Sequence, residues 1–518
     1  MLKAKKETAM LLEMHCHSSE HSGCSGVTAL TLVRQACAKG LQGIVLTDHQ
    51  YLWPSQALKS LRREAAVPDH FLILSGQEVL TKELGDVLVY GAQESFAKGS
   101  SLSDIRSRAP EAALVWAHPY RKGKRPEAAQ LLNPLLDGVE IFNSNHLPSE
   151  NSRGLSDWHR HRFTALAGSD AHSRSIIGVF PSLFDHPVQS VAELAREIRA
   201  GRCRPFLKEI PRAGTHSRVT EVTFGIKGPD EKRERIIIRA HTDAKRFRSA
   251  SRASMILEAL GDSGLFEGRF RVPRILDRDE EHLTFIESGL RGKTLHEKLL
   301  QASGEDRRLY LGLCARWLAR LHDSRLRLTE AGEFLATEPK RIARYLQRFT
   351  DIAHPHSLRA QEIAGAVLEQ EERLCREHPE LLIQGHGDFH PKNVLIGQDL
   401  SGDASTLFCA AVDFESSLCL PPAFDLGYFL AQYRHQFDEY PEVLSDAPES
   451  CFIEAYLQAR TEAEPDLLRQ LELFRARTNL GIAAFLIKLG LGQSEALWRL
   501  LAEASGCLAC YAAGSRRF

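Results

Sequence analysis

From residue 10 to about residue 207 the chain alternates short apolar runs with amphipathic stretches. Apolar runs of strand length fall at Met10–Met14, Gly43–Leu46, Phe71–Leu74, Asp86–Tyr90, Ala113–Trp116, Gly138–Phe142 and Thr164–Leu166. Between them, Thr28–Lys39 carries Leu30, Val33, Ala36 and Cys37 at helical spacing and closes at Gly40. Ser55–Glu64 and the stretch near Leu102–Arg108 also read as helices. This alternation predicts an α/β fold, and a strand number nearer seven than eight predicts a distorted barrel of the (β/α)7 type.

The pattern then changes. Lys208–Ser217 is polar, contains Pro211 and Gly214, and marks a domain boundary. Val219–Phe224 and Arg235–Arg239 read as a hairpin around a Gly-Pro-Asp turn, followed by a helix over Ala250–Leu260 and strands over Phe270–Leu276 and His282–Ile286. Gly289–Leu299 leads into a helix. Beyond it, Tyr310–His322 is strongly helical, and Leu473, Leu480, Ala484 and Ile487 form an apolar stripe of the kind that fills a core. The expected units are 1–207, 208–300 and 301–518.

At 518 residues the chain exceeds one ordinary core, and 43% apolar with 26% charged residues is a globular composition. A net charge of −1 supplies no bulk basic footprint, which disfavours a nucleic-acid partner. The 11 cysteines, odd in number and spread along the chain, suggest reduced thiols, and Cys507-x-x-Cys510 reads as helix packing. Lys3–Lys6 are followed by no apolar region of signal length, and no run approaches the roughly 20 apolar residues of a membrane span. A cytoplasmic protein without a membrane partner is expected.

The chemistry lies at the ends of the predicted strands. In extended chain, His15 and His17 point to one face, so their imidazoles can share a metal ion. Thr47-Asp48-His49, Glu78, His118 and Asp170-Ala171-His172 follow at or after later apolar runs. Any one of these histidines alone is more readily a strand cap or loop packing. The ordered set points to a metal site. Arg121 and Arg174 stand close by in sequence, where a guanidinium can grip a phosphate. His159 and His161, on a predicted helix, do not share a face and read as surface.

This segment resembles the PHP (polymerase and histidinol phosphatase) family of metal-dependent phosphoesterases. The resemblance implies two or three zinc, manganese or iron ions held by His15, His17, His49, Glu78, His118, Asp170 and His172, with Glu78 bridging. For the loop after the His-x-His pair, Glu20 and His21 are both candidates, Glu20 preferred. After the strand containing Glu140, Asn143 and His146 are both candidates. Glu13 stands where the family often has aspartate.

A second centre is written in Gly385-His386-Gly387-Asp388-Phe389-His390-Pro391-Lys392-Asn393, followed by Asp413 after an apolar strand and then Asp425. An Asp able to take a hydroxyl proton, an Asn five residues on and a second Asp suit magnesium-assisted phosphoryl transfer. The bland alternative is a polar turn before a core strand. From about 215 to the end the chain resembles the aminoglycoside phosphotransferase and choline kinase-like family. That resemblance implies a bilobal protein kinase-like α+β domain using ATP and magnesium. Asp388 would be the base, Asn393 and Asp413 the magnesium ligands, Asp425 a brace, and Ile286-Glu287 would lie near adenine. Where the family carries lysine the chain has Arg239, with Glu258 as its expected helix partner and Lys227 as a lesser candidate. The combined expectation is a bifunctional enzyme, hydrolysing a phosphoester and phosphorylating a hydroxyl of a nucleotide, sugar or amino alcohol. The alternative is a phosphoesterase regulated by a nucleotide-binding, catalytically weak kinase-like module.

Overall fold

The computed structural model describes residues 9–213, 217–224, 234–281, 283–400, 402–462, 464 and 466–514. Lys3–Lys6, Gly214, Lys227, the Gly228-Pro229-Asp230 turn and His282 lie outside them. The chain forms two compact units, Met1–Thr242 with Leu276–Gly289, and Asp243–Ile275 with Leu290–Phe518.

The first unit begins with β1 (Met10–Glu13), α1 (Ala29–Ala38), β2 (Gly43–Leu46), α2 (Ser55–Ala65), β3 (Leu72–Thr81), β4 (Gly85–Tyr90), α3 (Leu102–Arg108) and β5 (Ala113–Trp116). It continues with α4 (Ala128–Leu131), β6 (Gly138–Asn143), α5 (Pro148–His161), β7 (Ala165–Gly168), β8 (Ser182–Phe184), α6 (Val191–Arg199) and β9 (Cys203–Pro205). The strands form one large, nearly closed nine-stranded sheet in the order β7-β6-β5-β4-β3-β2-β1-β8-β9. Pairs β1/β2, β2/β3, β5/β6 and β6/β7 are parallel, whereas β3/β4, β4/β5, β1/β8 and β8/β9 are antiparallel. The sheet is therefore mixed where regular strand–helix alternation was expected. The difference arises at β3, which runs past the expected end at Leu74 and turns directly into β4, so that Glu78 sits within a strand, paired with Leu88. Ala29, Leu32, Val33 and Ala36 bury one face of α1, whose N-terminus is capped by the Thr28 hydroxyl.

The polar stretch read as a boundary is β10 (Leu207–Ala213), the edge strand of a five-stranded sheet with β11 (Ser217–Phe224), β12 (Glu234–His241), β14 (Ile275–Asp279) and β15 (Thr284–Ser288). Pro211 is tolerated there because an edge strand leaves one row of N–H groups unpaired. Val222, Ile236 and Ile286 of this sheet share a buried cluster with Leu155 of α5, against which Trp158 also packs. Arg153 of α5 grips Asp277 at 2.7 and 3.2 Å.

The second unit holds α7 (Ala244–Leu260), β13 (Phe270–Arg271), β16 (Lys293–Thr294), α8 (Leu295–Gln301), α9 (Gly304–Asp323), α10 (Glu333–Asp351), α11 (Ser357–Glu377), β17 (Ile383–Gln384), β18 (Val394–Gln398), β19 (Leu407–Ala411) and β20 (Cys419–Leu420). It ends with α12 (Pro422–Gln436), α13 (Pro441–Asp446), α14 (Glu449–Ala459), α15 (Leu467–Lys488) and α16 (Glu495–Ala513). A four-stranded sheet, β13-β19-β18-β16, and the small β17-β20 pair are packed against these helices. The predicted stripe of α15 lies in this core, where Leu473, Leu480 and Ala484 are buried. Cys507 and Cys510 both lie on α16, the first buried. Among the described residues no helix is long and apolar enough to cross a membrane.

One acid in this core makes a test of the packing. Glu371 of α11 is 1% exposed and neither carboxylate oxygen has a hydrogen-bond partner among the described residues. Burial, reinforced by the Glu338 carboxylate, pushes its carboxyl well above the ordinary range. The folded state therefore holds this proton more tightly than the unfolded chain. Its contribution to stability is intact below the unfolded carboxyl pKa and declines as the pH rises above it. Glu371→Gln should gain melting temperature relative to the parent between about pH 5 and pH 8. A difference that does not change with pH would contradict the assignment.

Candidate active sites

The first candidate centre is built where the strands of the large sheet end. His15 and His17 follow β1, their Nε2 atoms 3.1 Å apart, and both are essentially fully buried. Glu78 enters from β3 between four rings: Oε1 lies 3.4 Å from His15 Nε2 and 3.0 Å from His118 Nε2, and Oε2 lies 3.3 Å from His17 Nε2 and 3.1 Å from His49 Nδ1. Asp170, after β7, places Oδ1 3.2 Å from His17 Nε2 and 3.6 Å from His15 Nε2. His172 stands beside it, with Nδ1 2.8 Å from the Asp170 carbonyl oxygen. All seven residues that the resemblance implied as ligands thus come together. His118 and Asp170 have φ of 33° and 47°, a left-handed conformation that non-glycine residues rarely adopt and that marks an over-determined site.

Around this ring lies a supporting layer. Glu140 on β6 accepts from His15 Nδ1 at 2.9 Å and from the His118 N–H at 2.9 Å, which leaves His15 Nε2 facing the centre. Glu13, buried at the end of β1, accepts from the backbone N–H groups of His15, Ser169 and Gly178 at 3.1, 2.9 and 2.9 Å. Asp48 organises the loop after His17, accepting from Ser18 N, Ser22 Oγ and Trp53 Nε1 at 2.7, 2.6 and 2.8 Å. Burial alone would raise the Glu78 carboxyl, but the surrounding imidazoles of His15, His118 and His49 hold it well below the ordinary range.

The loop residue differs from both sequence candidates. Glu20 turns away, both oxygens accepting the Ala29 N–H at 3.1 Å at the start of α1, where an acid is favoured by the helix dipole. His21 stacks on Tyr51, ring centres 3.6 Å apart. Cys24 of the same loop reaches the ring instead, its sulfur 3.2 Å from His172 Nε2 and 3.5 Å from His49 Nε2. Of the two candidates beyond Glu140, Asn143, the last residue of β6, faces the ring, donating to Glu140 at 3.0 Å and to Asp170 at 3.4 Å. His146 instead bonds Asn151 at 3.0 Å. Arg121 pairs with Asp170, whereas Arg174 lies on an exposed turn. His159 is exposed on α5.

The donor set fits divalent metal ions. Imidazole nitrogens and carboxylate oxygens converge in a buried space, with His15, Glu78 and His118 forming one group of mutually close ligand atoms, His15, His17 and Asp170 a second, and His17, Cys24 and His49 a third. Unprotonated nitrogens so close repel unless a cation lies among them. Gly168 is what lets the sheet close over them. A Cβ there would meet His15 Cβ at 2.4 Å and Glu140 Oε1 at 2.5 Å. Gly168→Ala should therefore weaken metal binding by about 10- to 100-fold in a folded protein. Unaltered affinity in a metal titration would refute that.

The second candidate centre lies in the second unit, in the loop between β17 and β18. Asp425, fully buried near the start of α12, accepts the N–H groups of His386 and Gly387 at 2.7 and 2.8 Å and faces His322 Nε2 at 3.2 Å. Gly387 has φ of +76°, and a Cβ there would lie 2.1 Å from the Ser416 carbonyl oxygen, so glycine is required. The loop so braced presents Asp388. Its Oδ1 accepts from Tyr428 at 2.5 Å and its Oδ2 from Asn393 Nδ2 at 3.1 Å. Asn393 also donates to the Asp388 carbonyl and accepts from Val412 N, at 3.0 Å each, which ties the loop to the residue before Asp413. Asp413 itself has φ of 71°.

Arg239, on β12 in the first unit, pairs with Glu287 of the adjacent strand β15, Nε to Oε1 3.1 Å. The expected partner Glu258 is exposed on α7 of the second unit. Arg239 lies opposite Phe285, and Glu287 is its diagonal neighbour two residues along β15, within reach of a long side chain and a partner that helical spacing could not reveal.

The sequence profile of the phosphotransferase enzyme family matches residues 212–471, half of the chain. This chain belongs to the phosphotransferase enzyme family. A second profile, described as PHP-associated, matches residues 148–203 of this phosphotransferase, from α5 to the start of β9. An uncharacterised protein of Methanocaldococcus jannaschii is 26% identical over 117 residues, covering 22% of the phosphotransferase and 66% of that relative, so just under two thirds of the relative is spanned. Among solved structures, ethanolamine kinase of Plasmodium vivax is 16% identical, with 58% of the phosphotransferase and 82% of that chain covered and a TM-score of 0.39. Choline kinase of Cryptosporidium parvum is 15% identical, covering 60% and 90%, with a TM-score of 0.39. A macrolide 2'-phosphotransferase of Brachybacterium faecium is 16% identical, covering 57% and 91%, with a TM-score of 0.35.

Three residues of the phosphotransferase that shape these sites escaped sequence reasoning. Cys24 sat in a stretch read only as polar loop, and Glu140 sat within a predicted strand, whereas Glu13 was marked only by the family's usual aspartate there. Tyr428 had a signal. It lies three residues after Asp425, on the same face of α12.

Proposed function

We propose that this phosphotransferase is bifunctional, hydrolysing a phosphoester with metal ions in its first unit and phosphorylating a small-molecule hydroxyl from ATP in its second. The observation that supports the reading is that each unit gathers its own polar cluster, imidazoles with carboxylates in the first and Asp388 with Asn393 and Tyr428 in the second.

In the first unit, His15, His17, His49, His118, His172, Glu78 and Asp170 would hold two or three zinc, manganese or iron ions, joined by Cys24. Such ions when bound supply Lewis acidity toward the phosphoester and lower the pKa of water. Glu140 fixes the His15 tautomer, Glu13 fixes the backbone beneath it, and Asn143 orients Asp170. Arg121 can leave Asp170 for the substrate phosphate, which its planar guanidinium fits bidentately, and Arg174 is a second candidate from the exposed turn.

In the second unit, Asn393 and Asp413 would hold magnesium and Asp388 acts as base. The acceptor oxygen forms a bond to the γ-phosphorus of ATP, the bond from that phosphorus to the bridging oxygen breaks, and ADP leaves with the electron pair. The hydroxyl proton passes to Asp388. Tyr428 and Asn393 aim the carboxylate.

Two assays on one preparation test the proposal: phosphate release from monoesters and diesters with manganese or zinc, and label transfer from γ-labelled ATP to hydroxyl metabolites. Hydrolysis of no ester with any metal would remove the first half, and transfer indifferent to Asp388 would remove the second. The engagement of Arg239 by Glu287 favours a second reading, in which the nucleotide site regulates hydrolysis. It predicts an ATP-dependent hydrolysis rate without labelled product.

A further inference from the structure

A cavity of about 600 Å³ opens in the second unit beside the Asp388 loop, walled in part by His390, Lys392 and Tyr428. Tyr428 connects it to the proposed chemistry, because its hydroxyl donates to Asp388. The size suits a metabolite or a drug-sized ligand. What distinguishes the cavity is its charge. Arg348, Lys392 and Arg477 line it together with His390 and His435, and no Asp or Glu is among its described lining residues.

These cations are poorly compensated. Arg348 donates only to the Ala484 carbonyl, at 3.2 Å, and neither it nor Lys392 has a carboxylate partner among the described residues. Arg477 is 2% exposed and donates from Nε to Glu338 at 2.7 Å, but Glu338 is shared with Arg341 at 3.2 Å. Arg477 Nη2 is buried with no hydrogen-bond partner among the described residues. The guanidinium and ammonium groups of Arg348, Lys392 and Arg477 supply the permanent positive charge of the lining. Arg348 and Lys392, cations in the cavity wall without a carboxylate partner among the described residues, are suited to meet an anion.

We infer that this cavity is the acceptor site of the kinase reaction and that the acceptor is an anionic hydroxyl compound, carrying a phosphate or carboxylate that docks on Arg348, Lys392 and Arg477 while its hydroxyl faces Asp388. The inference rests on the kinase reading proposed above. A cationic acceptor, such as an amino alcohol or an aminoglycoside, would meet like charge on the cavity walls, where no Asp or Glu is among the described lining residues. The aromatic rings of Tyr345 and Tyr428 supply the apolar walls on which a carbon skeleton can rest.

The test uses the full chain carrying His17→Ala, so that the first unit does not hydrolyse products. Label transfer from γ-labelled ATP is measured to ribose 5-phosphate, glycerol 3-phosphate and glycerate, and to choline, ethanolamine and kanamycin. Ribose 5-phosphate binding is measured by calorimetry in parallel. Arg348→Gln and Lys392→Gln are compared with Arg376→Gln, an exposed control on α11. Expected is transfer to anionic acceptors only, with KM raised about 10- to 100-fold by Arg348→Gln or Lys392→Gln and unchanged in the control. The phosphate and carboxylate arms show which oxyanion is recognised. Transfer to choline, ethanolamine or kanamycin that ignores Arg348 would overturn the inference and leave the kinase reading standing. No transfer to any acceptor, with calorimetric binding that depends on Arg348, would uphold the anion site and defeat the kinase reading. Neither transfer nor Arg348-dependent binding would overturn the inference.

Discussion

Asp388→Asn is expected to lower ATP-dependent transfer to every acceptor by about 10²- to 10⁴-fold in kcat, the range of a lost general base. The substitution preserves the shape of the side chain, and asparagine can still meet Tyr428 and Asn393, which hold the aspartate at 2.5 and 3.1 Å. What it removes is the capacity to take a proton. ATP binding, followed by calorimetry, should change little, whereas single-turnover transfer should collapse. Tyr428→Phe gives a graded control, because it leaves the carboxylate in place and deletes only its donor. The mechanism fails if Asp388→Asn transfers label at the parental rate. Phosphoester hydrolysis, assigned to the other unit, should continue at the parental rate in both variants.

His17→Ala is expected to remove hydrolysis and strip metal from the first unit, while ATP-dependent transfer persists. His17 is 1% exposed, and its Nε2 lies within 3.3 Å of His15, Glu78 and Asp170 together. Removing it opens the ring at the point where the groups of close donors overlap, so the loss should exceed the roughly 10- to 100-fold typical of a supporting residue. Metal per chain, measured by mass spectrometry after dialysis, should fall with activity. Activity lost with metal content unchanged would reassign His17 from ligand to substrate contact. Cys24→Ser offers the complementary observation. A ligand at the edge of the ring should alter affinity for zinc more than for manganese, since thiolate favours the softer ion.

Much of both centres was readable because the information is local. His15 and His17 share a face by the two-residue repeat of extended chain, and Asp388 and Asn393 lie within one loop. The apolar runs of β2 and β5 are short and buried throughout, so their bounds follow from composition alone. The course of β3 was not local. A strand that continues through polar Ser75, Gly76 and Gln77 does so because β4 folds back to pair with it, and pairing, not propensity, extends it. The strand at Lys208–Ala213 was read as a boundary for the same reason. Its residues are unremarkable until β11 lies beside them.

By itself the sequence determined which side chains were available and in what order, the buried strands that carry most of them, and the two families the chain resembles. The tertiary structure decided which of those side chains meet. Glu20, His21 and Cys24 lie in one short loop and are equal in reach along the chain. Asp48, some thirty residues away, pins Ser18 and Ser22, so the loop folds back and brings Cys24 to His49 and His172 while Glu20 is committed to the start of α1. Arg239 likewise meets Glu287 because β12 and β15 pair. Hydrogen bonds and strand pairings between distant segments fix such meetings, and no local pattern encodes them.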